Sequence, residues 1–547
     1  MGRDLIERWR VTGTIIARTA IHIGGIAGDP DTDLPLARDG ANRWCVPGTS
    51  LAGAFRAWWQ EAFEAEETRR LWGWVPGKND KQDEGKKDDG KKDEGKPDEG
   101  KKDEGKKDEG KKDEGKKDDG RASFILIDDA PLTVPGGAVE LRDGVGIDRR
   151  YGAAADRIKH DRAVLPAGTT LPLSLTLDVE PVAHRAAVEA MLAHFLDALV
   201  AGDIALGAAR TRGLGRVRLL DEGLTIRRQG LKDRAGILAT LRSGGTTVKR
   251  TALGRTAAVP ATGKRLRLAL EWKPLGPVMS RAAQDGFAVD ILPLLGRRGT
   301  GIGPLLTGAG IKGVLRSHAE RIVRTLIQAP AAGDHFLEQV RVPLVRALFG
   351  DPGDDENPRL GRGALAVEDC YAQWTTDEEG RRTMLVEGTA NGWRPTHHVA
   401  IDRWTGGAAD GLLFSVLEPP VMTWEPIVID LDFARLDDGD RLPAVTLLLL
   451  VLDDLAAGRL PLGFSGNRGM GAVTVEKIAG AGAPARRQEG STDPAFAAAA
   501  ILSGLIGKTV GQEWGGILRL LSDDQRRELG DAWQKWIDGQ SVGTEAP

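Results

Sequence analysis

The chain has 547 residues, a formal net charge of −4 and 41% hydrophobic residues. Because one hydrophobic core rarely extends beyond about 300 residues, this length predicts more than one domain. The sequence has no apolar run of about 18 residues, a charged N-terminus where a signal peptide is apolar, and only two cysteines, Cys45 and Cys370. These features argue against a membrane span or membrane partner, export, a disulfide framework and a four-cysteine zinc site. They predict a cytoplasmic location.

A tract rich in lysine and acidic residues is the clearest departure from average composition. Residues 81–120 form eight pentads of the type KKDEG, with 14 lysines against 16 acidic residues. The tract has too little apolar surface to offset its ordering entropy, so we expect residues 78–120 to be a disordered insertion. Outside the tract, positive charge is mostly arginine in local clusters. A nucleic-acid partner would therefore be held in local grooves, despite the net negative charge.

The predicted elements, taken in chain order, form two copies of one series. Each copy opens with an alternating strand and a glycine-rich turn that begins a helix, followed by a short strand, an IDR hairpin and a longer strand. A second helix and a glycine-rich loop lead into the last strand, and a helical segment ends the chain. The matching strand segments are VTGTIIARTAIHIG and LRLALEW, FILIDD and ALAVED, LPLSLTLDV and PIVIDLDF, and GRVRLL and GAVTVEK.

Four motifs recur in the same order in both halves, at offsets between 254 and 277 residues. They are VPGTSLAGAFRAWW with LTGAGIKGVLRSHA, LWG with LFG, GVGIDRRYG with HVAIDRWTG, and ARTRGLGRVRL with SGNRGMGAVTV. Order and spacing together indicate a duplication. We predict an α+β chain of two tandem modules with the β-α-β-β-α-β order of a ferredoxin-like, RNA-recognition-like fold. The predicted segments are module one at 1–225, a linker at 226–264, module two at 265–480, and a linker with C-terminal helices at 481–547.

The glycine-rich turns that open the first helix of each copy are candidate phosphate sites. Exposed backbone N–H groups and the helix dipole favour an anion there. The alternative is an ordinary capped helix start, with Thr49 or Ser50 as the cap. Recurrence in both copies favours phosphate binding, although Ala52 stands where copy two has lysine. The candidate residues are Gly48, Thr49, Ser50 and Arg56 in copy one, and Gly308, Gly310, Lys312 and Arg316 in copy two.

A loop aspartate in each copy is the candidate catalytic residue. Alignment of GDPDTDLPL with DGFAVDILPL places Asp33 opposite Asp290. A carboxylate on such a loop can act as a general base on an RNA 2′-hydroxyl or hold a hydrated divalent ion. The alternative is a turn residue, which is a common role of aspartate in glycine- and proline-rich loops. Histidine offers no matched alternative, because copy one has Trp58 where copy two has His318.

Taken together, PGTSLAGAFR, LFG, AIDRWTGGAADGLLF and RGMG resemble the RAMP superfamily, in particular the backbone subunits of type III CRISPR effectors. The fused double module is similar to type III-D systems. The resemblance implies guide-RNA binding, a hairpin thumb that carries Arg149 and Arg403, and glycine-rich loops in which Arg212 and Arg468 contact RNA. It also implies that Asp33 and Asp290 cut complementary target RNA with a divalent metal, for which Mg²⁺ is the first candidate. Other type III effector subunits would then be partners in antiviral defence.

Two other functions stay open. The chain is either a structural subunit that binds guide RNA without cutting, or an endoribonuclease that processes the guide. The second requires a catalytic histidine or tyrosine at matched positions, and the sequence shows none.

Overall fold

The structure is a computed structural model. It describes residues 5–25, 32–74, 121–180, 184–257, 264–329, 335–351, 361–390, 392–481 and 494–541, without residues 512 and 514. The KKDEG tract, predicted to be disordered, lies outside the described residues. Within them, no helix combines the length and apolar character that a membrane crossing needs.

Module one is built on a five-stranded antiparallel sheet in the order β3-β7-β1-β8-β9. Its central strand alternates buried and exposed residues, and Val11 pairs with Leu175 on one side and Ile226 on the other. The aromatic side chains of α1 and α3 cover one face, where Phe55 and Phe195 meet edge to face at 4.9 Å. The elements are β1 (Glu7–Ala17), β2 (Cys45–Val46), α1 (Gly48–Ala62), α2 (Ala65–Trp72), β3 (Ile125–Ile127), β4 (Ala130–Pro131), β5 (Glu140–Gly144), β6 (His160–Val164), β7 (Thr170–Val179), α3 (Arg185–Ala201), β8 (Val217–Gly230), α4 (Arg234–Ser243) and β9 (Thr246–Val248).

Module two repeats this plan with a four-stranded antiparallel sheet in the order β13-β17-β10-β18. Helix α9 is apolar on every side, because the sheet, α5 and the C-terminal helices surround it. The elements are β10 (Arg265–Pro274), β11 (Leu295–Arg298), β12 (Gly301–Leu306), α5 (Gly308–Leu326), α6 (Phe336–Gln339), α7 (Val345–Phe349), β13 (Leu365–Val367), β14 (Cys370–Tyr371), α8 (Glu378–Glu387), β15 (Arg394–Ile401), β16 (Ala408–Glu418), β17 (Ile427–Asp432), α9 (Arg441–Ala456), β18 (Val473–Gly480), α10 (Pro494–Ser503) and α11 (Asp523–Ser541).

The two modules share backbone detail as well as strand order. The glycine-rich loop before the last strand begins with a left-handed residue in both, Ala209 with φ 55° and Ser465 with φ 62°. Four residues later, Gly213 and Gly469 also have positive φ, at 96° and 89°. The mixed α+β architecture and the two-module layout are therefore confirmed.

Two segments differ from a simple linker. Residues 226–264, predicted as a linker, contain the end of β8, the helix α4 and the strand β9, which extends the first sheet. Helices α10 and α11 pack on α9, and the Asp453 carboxylate accepts hydrogen bonds from the backbone N–H groups of Gly515 (2.7 Å) and Ile517 (2.9 Å). The C-terminal helical segment is thus part of the core of module two.

The modules meet through a buried polar interface. Arg142 of module one pairs with Asp369 of module two, and both side chains are nearly inaccessible to solvent. Arg216 likewise bonds Asp430 and lies 2.9 Å from Glu368. These charges are paired across the interface because an unpaired buried charge would be strongly unfavourable.

Candidate functional site

Asp33 and Asp290 lie in exposed loops, and each is hydrogen-bonded to the second strand of a hairpin. Ser415 of β16 donates to Asp290 Oδ2 from its backbone N–H (2.7 Å) and its hydroxyl (2.8 Å), and the Asp290 N–H donates to Ser415 Oγ (3.0 Å). In module one, the Asp161 N–H of β6 donates to Asp33 Oδ2 (3.0 Å) and the Asp33 N–H donates to Asp161 Oδ1 (2.8 Å). The same reciprocal pair of bonds occurs in both modules.

Backbone pairing confirms that the two aspartates occupy equivalent positions. The residue after each aspartate forms a parallel bridge with the residue after its partner, Leu34 with Arg162 and Ile291 with Val416. The alignment of Asp33 with Asp290 made from sequence is therefore also an alignment in space.

These bonds distinguish the two aspartates from ordinary turn residues. A turn aspartate accepts from backbone N–H groups a few residues ahead, as Asp39 does from Ala41 (2.9 Å) and Asp402 does from Trp404 (2.8 Å). The carboxylates of Asp33 and Asp290 instead accept from residues 128 and 125 positions away.

A groove of about 500 Å³ lies beside Asp290. Phe414 and Phe464 form its apolar floor, and the Arg468 guanidinium lies 5.1 Å from the centroid of the Phe414 ring. The backbone N–H and hydroxyl of Ser415 lower the pKa of Asp290, so the carboxylate is ionised at neutral pH. The groove therefore combines an ionised carboxylate, a guanidinium and aromatic side chains, and the Phe414 ring also stacks on His398 at 5.2 Å.

Two arginines, Arg162 and Arg212, lie near the equivalent site of module one. Arg162 follows Asp161 in β6, and its Nε is buried with no hydrogen-bond partner among the residues that the structure describes. Burial and the charge of Arg212, from the glycine-rich loop, lower the pKa of Arg162. Within the described residues, neither arginine forms an ion pair with a carboxylate. Both are available to an anionic ligand.

The helix starts that were predicted to bind phosphate carry internal acceptors. Asp129 Oδ1 accepts from the Gly48 N–H (2.6 Å), and Asp369 Oδ1 accepts from the Gly308 N–H (2.8 Å). The Gly310 N–H donates to Thr307 Oγ1 at 3.1 Å. The side chains of Thr49 and Ser50 are exposed, and in the part of the chain that the structure describes neither caps this helix, whose N-cap position is Pro47. Phosphate binding at these turns stays a prediction. A phosphate would compete with the carboxylates of Asp129 and Asp369 for the backbone N–H groups of the two turns.

The basic residues of the same helices contact the protein itself. Arg56 donates to the Gly73 carbonyl (3.2 Å), and its counterpart Arg316 donates to the Gly350 carbonyl (2.9 Å). These glycines end the LWG and LFG motifs, so anchoring that turn explains why arginine recurs. Lys312 is 6% exposed and donates to the Leu365 carbonyl (2.7 Å), and burial with the charge of Arg316 lowers its pKa to about 7.

The two IDR hairpins differ in their surroundings. Arg149 Nε lies 2.5 Å from Glu320 Oε2 on α5, so the hairpin of module one lies on module two. Arg403, at the tip of the β15–β16 hairpin, is exposed, and the adjacent Trp404 is 96% exposed. Of the predicted RNA-contacting residues, the structure thus leaves Thr49, Ser50, Arg212, Arg403 and Arg468 most accessible, whereas Arg56, Arg149, Lys312 and Arg316 have protein partners.

A family model of the RAMP superfamily matches residues 14–218 and 292–474. These stretches follow the two modules and together make up more than half of the chain. The chain belongs to the RAMP superfamily. This family is associated with CRISPR-associated RNA-binding complexes, and its members often process RNA in CRISPR systems. A search of curated proteins found no match.

The RAMP modules contain no preformed multidentate metal site in their described part, where no three His, Cys, Asp or Glu residues cluster. Asp290 Oδ2 takes both Ser415 bonds, and the described residues supply no donor to Oδ1. A single free carboxylate oxygen fits Mg²⁺, which retains several waters and binds through one or two carboxylates together with phosphate oxygens. The donors present therefore fit a hydrated ion shared with RNA.

Sequence reasoning missed the residues that hold these sites. Asp161 and Ser415 differ in type, so the repeat did not reveal them. Asp129 and Asp369 were visible as the second acidic residue of LIDDA and AVEDC. Their recurrence directly after the short strand was the available signal.

Proposed function

We propose that the chain is a backbone subunit of a type III CRISPR effector of the III-D kind. It binds guide RNA and cleaves complementary target RNA at Asp33 and Asp290. The observation that carries this proposal is the matched pair of loop aspartates, each exposed and bonded to a hairpin of its own RAMP module. A ferredoxin-like core in each module fits the shared strand order. In module one β7 lies between β3 and β1, and in module two β17 lies between β13 and β10.

The chemistry proposed for each aspartate is general-base catalysis. An ionised carboxylate removes the proton of a 2′-hydroxyl, whose oxygen attacks the adjacent phosphorus as the 5′-oxygen leaves. The products are a 2′,3′-cyclic phosphate and a 5′-hydroxyl, and water protonates the leaving oxygen. When bound, a divalent ion such as Mg²⁺ supplies positive charge beside the phosphate. Two such sites predict two cuts, separated by the length of RNA that one module covers.

Guide binding is proposed to be independent of guide sequence. Exposed arginines such as Arg212, Arg403 and Arg468 suit phosphate and sugar, while base pairing reads the target. Binding should therefore weaken with salt in proportion to the phosphates that are neutralised. Guide RNA, target RNA and other effector subunits are the proposed partners, and the cytoplasm is the proposed location.

Reconstitution of the complex with guide RNA and an end-labelled target tests this function. Asp33→Ala and Asp290→Ala should each abolish one cut, the double variant should abolish both, and chelation of Mg²⁺ should do the same. Asp156→Ala and Asp410→Ala are matched controls, because both aspartates are exposed on the same two hairpins. Unchanged cleavage in the double variant would leave a structural guide-binding subunit, and a specific cut in repeat RNA by the isolated chain would indicate guide processing.

A further inference from the structure

We propose that Ser415 and Asp161 are positioning residues that hold the loop aspartates in place for target cleavage. This inference rests on the proposed function. Each residue lies in the second strand of its hairpin; Ser415 forms three hydrogen bonds with Asp290, and Asp161 forms two with Asp33. The two residues therefore tie the cleavage loop to the hairpin next to it.

The backbone of this loop in module two has other anchors, because the Phe287 N–H donates to the Leu385 carbonyl (3.0 Å) and Val289 is 3% exposed. The contribution of Ser415 is therefore to hold the Asp290 side chain. The backbone bonds that follow Asp290, from Ile291 N to Ser415 O (2.9 Å) and from Leu417 N to Ile291 O (2.9 Å), fix the chain just beyond the carboxylate. Ser415 is 7% exposed, so its hydroxyl is itself held by packing in the hairpin.

The bonds also make the two carboxylate oxygens of Asp290 unequal. Both Ser415 donors reach Asp290 Oδ2, which leaves Oδ1 without a donor among the described residues. An aspartate side chain has two rotatable bonds, and two donors on one oxygen restrict both. A reactive group displaced by about 1 Å can lose about a hundredfold in rate, so this restriction matters for chemistry.

The two modules perform the positioning differently. The Ser415 hydroxyl accepts from the Asp290 N–H and donates to its carboxylate, whereas the Asp161 carboxylate can only accept. Asp161 instead accepts a second bond from the Thr32 hydroxyl (2.7 Å), which ties another loop residue to the hairpin. Loss of the Ser415 hydroxyl removes two of the three bonds to Asp290, while loss of the Asp161 carboxylate removes one of the two to Asp33.

The test uses the assembled complex and one target RNA, so that the two cuts report on the two modules separately. Under single-turnover conditions, Ser415→Ala should slow the cut assigned to Asp290 at least about tenfold and leave the other cut unchanged. Asp161→Ala should do the reverse. Ser415→Thr keeps the hydroxyl and Asp161→Asn keeps the acceptor oxygen, so both should restore the rate to within about threefold. Target affinity should stay the same in all four variants.

The outcomes separate this inference from the proposed function. If Asp290→Ala leaves its cut intact, the proposed function fails. If Asp290→Ala abolishes the cut but Ser415→Ala cleaves at the original rate, the positioning role is overturned and the proposed function stands. Equal slowing of both cuts by Ser415→Ala also overturns the positioning role, because a general loss of folding would act on both modules. The role is likewise overturned if Ser415→Thr, which keeps the hydroxyl, does not restore the rate.

Discussion

The Asp369→Ala variant probes the interface between the modules. Asp369 is fully buried; its Oδ2 bonds Arg142 of module one, and its Oδ1 accepts the Gly308 N–H (2.8 Å). The substitution leaves a buried guanidinium and a buried N–H without these acceptors. Removing one partner of a buried ion pair costs about 3–5 kcal/mol, and an unsatisfied N–H costs about 1–3 kcal/mol. Glu140, 3.2 Å from Arg142, offsets part of this loss, so we expect a total of about 3–5 kcal/mol.

Asp129→Ala is the matched control. Asp129 makes the equivalent bond to the Gly48 N–H (2.6 Å), but it is exposed and has no arginine partner among the described residues. Its loss should cost only about 1 kcal/mol, the usual value for a helix N-terminal acceptor. Urea unfolding, followed by tryptophan fluorescence and circular dichroism, measures both free energies.

The Arg142→Met variant completes a double-mutant cycle. Combined with Asp369→Ala, it should recover part of the lost stability, because no unpaired guanidinium remains. The reasoning is refuted if Asp369→Ala and Asp129→Ala destabilise the chain equally, or if the double variant is as unstable as the sum of the single variants.

Three further predictions concern the fold. Gly308→Ala should be strongly destabilising, because an added Cβ would lie 2.3 Å from the Val367 carbonyl oxygen. Gly313→Ala, on the open face of the same helix, should stabilise the chain by about 0.5–1 kcal/mol, and the urea unfolding midpoints of the two variants test both expectations. Leu448→Ala, fully buried in α9, should cost about 2–5 kcal/mol, and Val421→Ala, 60% exposed, less than about 0.5 kcal/mol by the same assay. Burial lowers the pKa of His22 below its ordinary 6.5. Below pH 6.5 the unfolded chain therefore binds a proton at this histidine more readily than the folded chain does. The free energy of unfolding should fall as the pH is lowered, and it should fall less in His22→Asn.

The repeat made most of the architecture predictable. Matched motifs predicted both modules, and apolar periodicity predicted the first helix of module two, whose observed core face includes Ile311, Leu315 and Val323. The segment after residue 226 was assigned as linker because a weakly patterned helix and a three-residue strand carry little periodic signal. Pairing with β8, which makes that strand regular, depends on tertiary structure.

The loop aspartates could be aligned from sequence, whereas the partners of the arginines could not be assigned from it. Asp33 and Asp290 could be aligned because a proline-containing segment follows both. Arg56 and Arg316 also align, yet both bond the carbonyl of a nearby turn. A recurring arginine predicts a recurring acceptor, and sequence does not reveal whether that acceptor is a phosphate or a peptide carbonyl.

The different surroundings of the two hairpins give the chain a direction. The first hairpin is engaged by Glu320 and Gln339, and the second ends in a solvent-exposed indole without a contact of this kind among the described residues. The hairpin of module one is therefore held against module two, whereas the tip of the hairpin of module two is exposed to solvent. If the same contact joined neighbouring chains, the second hairpin of one chain would lie on the first helix of the next chain.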